Sequence, residues 1–218
     1  ENLGYAKGNN LGLSKVKTKY ALILNPDAVL DNNALNNFFI SINNINNFSI
    51  IGPVTQSREN INYNDKSLLE VDTVKGFAMF LNLKEFTEIG FFDENIFIYL
   101  EEIDLCKRLK KNNKKIFIDQ NIVVNHQGGS SHDPQYNFEM ELSRNWHWMW
   151  SSFYFTKKHN GFFYALISSL GKLSSSIIKY IFYSITLNIN KKIIYKNRLS
   201  GLFNSIIGKP SWYRPNLK

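Results

Sequence analysis

Acidic residues are missing altogether from residues 144–218, although the chain of 218 residues holds 18 of them. Residues 1–143 carry 14 of the 26 Lys and Arg against all 18 Asp and Glu, a balance of −4; residues 144–218 carry the other 12 cations, a balance of +12. The net charge of +8 hides this division. Cations without counter-charge point to an anionic partner for the tail: a membrane surface, a nucleic acid or an anionic substrate. Abundant Asn, Lys and Ile are also what an AT-rich genome produces, but that bias does not remove acids. Cysteine is nearly absent. The single Cys106 excludes an internal disulfide framework and fits a reducing compartment. Long apolar runs are missing too, since residues 162–170 and 177–187 each fall short of the ~18–20 residues that a span needs. No initiator methionine or signal peptide stands at Glu1, so a chain shortened at its N-terminus is the expectation.

What is present centres on residues 90–109, GFFDENIFIYLEEIDLCKRL. An aromatic approach (Phe91, Phe92, Phe97, Tyr99) delivers Glu101, Glu102 and Asp104, followed by Leu105 and Leu109 one turn apart and by Lys107, Arg108, Lys110 and Lys111. Acids first and bases last match a helix dipole and predict a helix starting near Glu101, with Cys106 packed on its apolar side. An ordinary acidic first turn reads the same way. Carboxylates beside aromatics, however, hold protons more tightly, which suits a general base.

Elsewhere, Tyr20 to Leu24 reads as a buried strand that Pro26 must end, leaving Asp27 at its C-terminal edge. In open α/β sheets that edge binds ligands, although a plain post-strand turn accounts for Asp27 equally well. Residues 31–45 have helical apolar spacing (Leu35, Phe38, Phe39, Ile42), and residues 49–54 predict another strand. Residues 56–69 read as a polar surface loop, and residues 71–81 as strand, tight Gly76, strand. Residues 115–131 carry two short β-like runs leading to His126, and the Gly- and Asn-rich residues 1–12 suit a turn or a close ligand approach. Residues 144–159 predict an aromatic helix, over a site mouth or at a membrane interface. The two apolar segments after it, split by Gly171, Lys172 and serines, read as an interfacial helical pair, or as a bundle packed on the domain.

Gly90, Phe92, Asp93, Glu94, Phe97, Tyr99, Glu101, Glu102, Asp104, Leu105, Cys106 and Arg108 resemble the signature of the inverting family 2 glycosyltransferases, in particular their rhamnosyltransferase-like branch. The resemblance covers residues 1–135, about the latter two-thirds of a catalytic domain. It implies an α/β fold of the GT-A type (Rossmann-like, for nucleotide-diphospho-sugars), a mixed sheet flanked by helices. Residues 1–143 would be that domain without its first nucleotide-binding β-α-β portion, and residues 144–218 a basic helical appendage at a membrane surface.

By the same resemblance Glu102 is the base that deprotonates an acceptor hydroxyl, where the family often has Asp, with Glu101 as fallback and Asp104 beside them. Asn2, Gly4, Gly8 and Asn10 match a segment beside the nucleotide-sugar, and Gly76 lies in the donor-sugar and acceptor region. Asn25-Pro26-Asp27 stands where the family has a DxD-type motif. Asp27 is then the better ligand for Mg²⁺ or Mn²⁺, Asn25 offers a neutral oxygen, and His126 completes the metal site in a run continued by Gly129 and Ser131. The implied partners are a nucleotide-sugar donor, dTDP-rhamnose by the branch resembled, a glycan or lipid-linked acceptor and an anionic membrane surface, at the inner face of the plasma membrane in the cytoplasm. A basic nucleic-acid-binding protein is the rival reading of the tail, opposed by apolar runs that, though short of a membrane span, are too long for a solvated binding surface, and by the lack of a binding motif. A catalytically inactive transferase fragment is the third.

Overall fold

A computed structural model gives the protein's structure, describing residues 2–45, 47–55, 67–126 and 133–217. The chain divides into two compact units. One comprises Gly8–Asp93 and Glu101–Ser131; the other comprises Glu1–Lys7, Glu94–Leu100 and His132–Lys218.

The first unit is a mixed six-stranded sheet with helices. Its strands are β1 (Tyr20–Leu24), β2 (Ala28–Leu30), β3 (Ile50–Val54), β4 (Leu68–Glu70), β5 (Ala78–Asn82) and β6 (Ile116–His126). They run in the order β1-β5-β3-β6-β2, with β4 also on β6. Among the described residues only β3 and β6 pair in parallel, the remaining ladders being antiparallel. Such a sheet needs apolar cover, and α2 (Ala34–Asn44) supplies it through Ala34, Phe38 and Ser41, one stripe of the helix. Phe38 stacks on Phe80 at 4.7 Å inside a cluster with Phe48, Ile51, Phe117 and Ile122. Leu35 and Phe39, expected on this face, are exposed, because the stripe runs one position earlier.

Four further expectations change. Residues 4–13 form a helix, α1 (Gly4–Leu13), rather than a turn: Ala6 and Leu13 are buried, and Asn10 clamps the Phe92 backbone. The polar loop of residues 56–69 contains β4 at its end, and residues 56–66 lie outside the described residues. Of residues 71–81 only those from Ala78 onward are strand, since Val71 bonds to Ile116 and the backbone then leaves the ladder. Finally, β6 is one continuous strand of 11 residues. Its polar middle is kept in place by Asp119, which accepts from the Ser41 hydroxyl and, at 2.9 Å, from the Asn121 amide.

The second unit is helical: α4 (Asn137–Asn160), α5 (Phe162–Ile185) and α6 (Ile189–Ile206). The two apolar segments read as a pair are one 24-residue helix, α5. Serines do not break it because their hydroxyls turn back onto carbonyls of the preceding turn, as Ser169 does to Leu166 and Ser176 to Lys172. No helix among the described residues is long and apolar enough to cross a membrane. Helices α4 and α6 approach so closely at Gly201 that a Cβ there would fall against the Trp146 carbonyl. Ser205 donates to the Trp150 carbonyl at 2.9 Å, and Met149, Phe153, Ala165 and Leu202 fill the space beside that crossing. His147, fully buried, is stacked on Phe97 and bonded to Ser211 and to the Tyr213 carbonyl, and burial holds its pKa down at about 4.

Candidate active site

Helix α3 (Glu101–Lys111) begins at the residue its acidic first turn predicts, and its last turn holds Arg108, Lys110 and Lys111. The two residues before it, Tyr99 and Leu100, have left-handed backbone at φ 75° and 71°. Side-chain-bearing residues rarely accept that conformation, and its cost is commonly met at ligand sites. Along α3, Glu101, Leu105 and Leu109 fall on one buried stripe. Glu101 is only 5% exposed, and its Oε2 has no hydrogen-bond partner. Burial, reinforced by the neighbouring Glu102 charge, raises its pKa from 4.5 to about 8. Glu102 sits a hundred degrees further round the helix. Burial raises its pKa too, but the amides of Glu102 and Ile103 and the charge of Lys75 oppose the rise. Near neutral pH the two adjacent acids therefore differ: Glu101 keeps its proton more readily, while Glu102 has donors that favour the carboxylate.

Asp104 has a different task. It is fully buried and accepts from Arg108 Nε at 2.8 Å; Arg108 in turn donates to the carbonyls of Ile89 at 2.9 Å and of Phe91. The pair ties the α3 turns to the segment that leads toward them. Cys106 is buried, its thiol pushed up to about 11 by burial, in keeping with a packing role.

The second cluster follows from strand register. In the antiparallel β2–β6 ladder Ala28 faces His126, so the turn residue before β2 lies beside the last residue of β6. Asp27 Oδ1 and His126 Nε2 are 3.2 Å apart, with side chains 12% and 22% exposed. The Phe77 ring lies flat on the imidazole, centroids 4.8 Å apart and planes 8° from parallel. The Phe77 carbonyl accepts from the Asn25 amide at 2.8 Å, and the Asn25 carbonyl from Ala28 at 3.0 Å, which closes the turn carrying Asp27.

Residues 74–77 join the two clusters. Val74 hydrogen-bonds Cys106 of α3 through its backbone, Lys75 faces Glu102, Gly76 turns the chain, and Phe77 covers His126. Lys75 and Phe77 are two residues apart, at most about 7 Å of backbone. The acid pair and the Asp–His pair thus flank one short segment of the sheet unit. Neither Lys75 nor Phe77 is evident from local sequence, though an aromatic next to a turn glycine is the signal that points at Phe77.

The expected donor residues divide. Asn2 caps Gly4 through its side-chain oxygen at 3.0 Å, and Gly4, at φ +83°, has no room for a Cβ beside Phe97. Gly8 opens on free space, so no close packing demands a glycine there. Both polar ends of the Asn10 side chain meet the Phe92 backbone, at 2.9 and 3.0 Å. Gly129 and Ser131 lie outside the described residues.

No family model matches the chain. Over 141 residues it is 29% identical to the low-salt glycan biosynthesis hexosyltransferase Agl10 of Haloferax volcanii, an alignment taking in 53% of this chain and 46% of that protein. The chain therefore spans about half the length of the curated relative it matches. Among solved structures, that of S. aureus TarS 1–349 in complex with UDP-GlcNAc is 12% identical and superposes over 100% of this chain and 76% of that one, with a TM-score of 0.46.

Proposed function

We propose that the chain carries the acceptor-activating part of an inverting glycosyltransferase that moves a sugar from a nucleoside diphosphate to a hydroxyl of a glycan. The observation that carries this reading is the segment of residues 74–77, whose Lys75 charge acts on Glu102 and whose Phe77 ring stacks on the His126 of the Asp27–His126 pair. The likeness to a hexosyltransferase supports glycosyl transfer. The signature around Glu101 and Glu102 favours the rhamnosyltransferase-like branch, hence L-rhamnose from dTDP-rhamnose onto a lipid-linked or cell-surface glycan.

Glu102 takes the proton of the acceptor hydroxyl. The oxygen bonds to the anomeric carbon from the face opposite the leaving group; the bond from that carbon to the diphosphate breaks, and its electron pair leaves on the diphosphate oxygen. One base suffices, and no covalent intermediate forms. Glu101, holding its proton, keeps a second negative charge away from Glu102, whose burial raises its proton affinity as a base needs, while the Glu102 and Ile103 amides and the Lys75 charge limit that rise. Asp27 and His126 offer one carboxylate oxygen and one imidazole nitrogen, a donor pair that would hold Mn²⁺ or Mg²⁺. Among the described residues no group of three such side chains forms a protein-only cage. When bound there, the ion supplies Lewis-acid stabilisation of the departing diphosphate.

Helix α5 supports a place at the inner face of the plasma membrane. Phe163, Ile167, Leu170, Ile178, Phe182 and Ile185 are exposed along it, and no acid occurs from residue 144 onward to repel anionic lipid. Flotation with anionic but not zwitterionic vesicles is the expected result, and indifference to lipid charge would remove this assignment.

The deciding experiment is isothermal titration of Mn²⁺ with dTDP or UDP into the natural protein that carries this chain, beside Asp27→Ala. Metal-dependent nucleotide binding that disappears in the variant is expected, with dTDP preferred. Binding of neither nucleotide by a folded protein would refute the donor site.

A further inference from the structure

In the helical unit a cleft of about 310 Å³ is lined by Tyr99, Arg144, Asn145, Trp148 and Arg198. Its chemistry is lopsided. Among the described residues no carboxylate pairs with Arg144, Arg198 or the adjacent Lys172. Arg198 donates to Asn145 Oδ1 at 2.8 Å, which fixes one edge of its guanidinium, while its buried Nε has no acceptor. Lys172 lies over the Trp148 ring at 5.4 Å. Partial desolvation, and then the Arg198 charge, lower its pKa, so these two cations oppose one another. A cluster of three cations with no carboxylate among them is costly unless an anion completes it. The opposite wall is aromatic: Tyr99 meets Trp148 edge-to-face at 5.7 Å, and Tyr99 is held at φ 75°. A fork of guanidinium donors suits phosphoryl oxygens, and a fixed ring beside it suits the C–H face of a pyranose.

We infer that this cleft binds a phosphorylated sugar, its phosphate on Arg198 and Arg144 and its ring against Trp148 and Tyr99. The ester is either a soluble sugar phosphate or the head of a prenyl-diphosphate-linked glycan, since both present the same phosphate-beside-pyranose chemistry. Binding is read without turnover, so it stands apart from the transferase chemistry.

The test is calorimetric titration of glucose 1-phosphate, inorganic phosphate and glucose into the wild-type protein and into Arg198→Met, Arg144→Gln and Trp148→Leu. Arg198 is part-buried, so thermal melts accompany each variant; Trp148 is exposed and tolerates replacement. Glucose 1-phosphate should bind at least tenfold more tightly than either fragment. Either arginine variant should weaken it about tenfold to hundredfold, the loss of a charge-assisted donor pair. Trp148→Leu should reduce it to the level of inorganic phosphate. A short prenyl diphosphate glucose that binds more tightly still, and is lost in the same variants, assigns the lipid-linked source; equal affinity assigns the soluble ester. Glucose 1-phosphate bound no better than inorganic phosphate, or unaffected by Trp148→Leu, would overturn the inference. So would a nucleoside diphosphate that binds more tightly and is lost in these variants.

Discussion

Replacing Glu101 by glutamine should stabilise the protein, by an amount that grows with pH. The unfolded chain releases the Glu101 proton near pH 4.5, whereas the folded chain holds it to about 8, mainly because the carboxyl is buried. Below 4.5 both states are protonated, and the acid costs folding nothing beyond its neutral burial. As pH rises through the interval, only the unfolded state gains from ionisation, so stability is lost; above 8 the loss is constant. A shift of this size, at about 1.4 kcal/mol per unit, sets a ceiling of about 5 kcal/mol. Glutamine keeps the shape and never ionises, but leaves a buried polar end as short of partners as Glu101 Oε2 is now. That common cost cancels, so the difference isolates the charge. Urea unfolding of wild type and E101Q at half-unit steps from pH 5 to 9 would read it. The expected curves differ by under about 1 kcal/mol at pH 5 and separate by several kcal/mol at pH 8. A separation independent of pH, or an E101Q protein weaker than wild type at pH 8, would refute the burial argument.

Arg108→Met strands a fully buried carboxylate and removes the donor shared by the Ile89 and Phe91 carbonyls, so it should cost about 3–5 kcal/mol, about 6–20 °C in Tm, with Arg108→Lys between the two. A loss under about 1 kcal/mol would show that the Asp104 pair is not a structural tie. Gly201→Ala should lower Tm in thermal melts despite alanine's helix advantage of about 1 kcal/mol, because its methyl meets the Trp146 backbone, which cannot step aside. Glu102→Gln should cut turnover about 10²- to 10⁴-fold in a donor-sugar assay while leaving nucleotide binding within twofold; unchanged turnover would remove Glu102 as the base.

Much of the local architecture was legible because it rests on short-range rules. Pro26 ends β1, the acid-to-base gradient sets α3 at Glu101, and the aromatic run is helical as α4. Two of the misreadings share a cause, which is a distant partner rescuing a segment that local chemistry disfavours. Asparagine and glycine make residues 4–13 poor helix formers, yet Asn10 is held by the Phe92 backbone 82 positions away. Asp119, Gln120 and Asn121 look like a break between two strands, yet Ser41 of α2 reaches Asp119 and β6 runs on with a shifted register against β3. In α5 the rescue is local, through hydroxyls that bond the preceding turn, and serine content alone was a misleading stop signal.

The site divides along the same line. Asp27 and His126 are individually ordinary; only the Ala28–His126 register makes them neighbours, and no pattern within either segment encodes that pairing. Lys75 opposite Glu102 is hidden for the same reason. The distinction between the two glutamates, by contrast, was available in the sequence. Glu101, Leu105 and Leu109 recur at a spacing of four, which places Glu101 on the stripe that must be buried, whereas Glu102 lies a hundred degrees away and keeps access to a donor from another element. Reading the acids by helical phase rather than by order in the chain separates a buried acid that stays protonated from a neighbour able to exchange a proton with a ligand. The pH-dependent separation between E101Q and wild type measures that difference in phase directly.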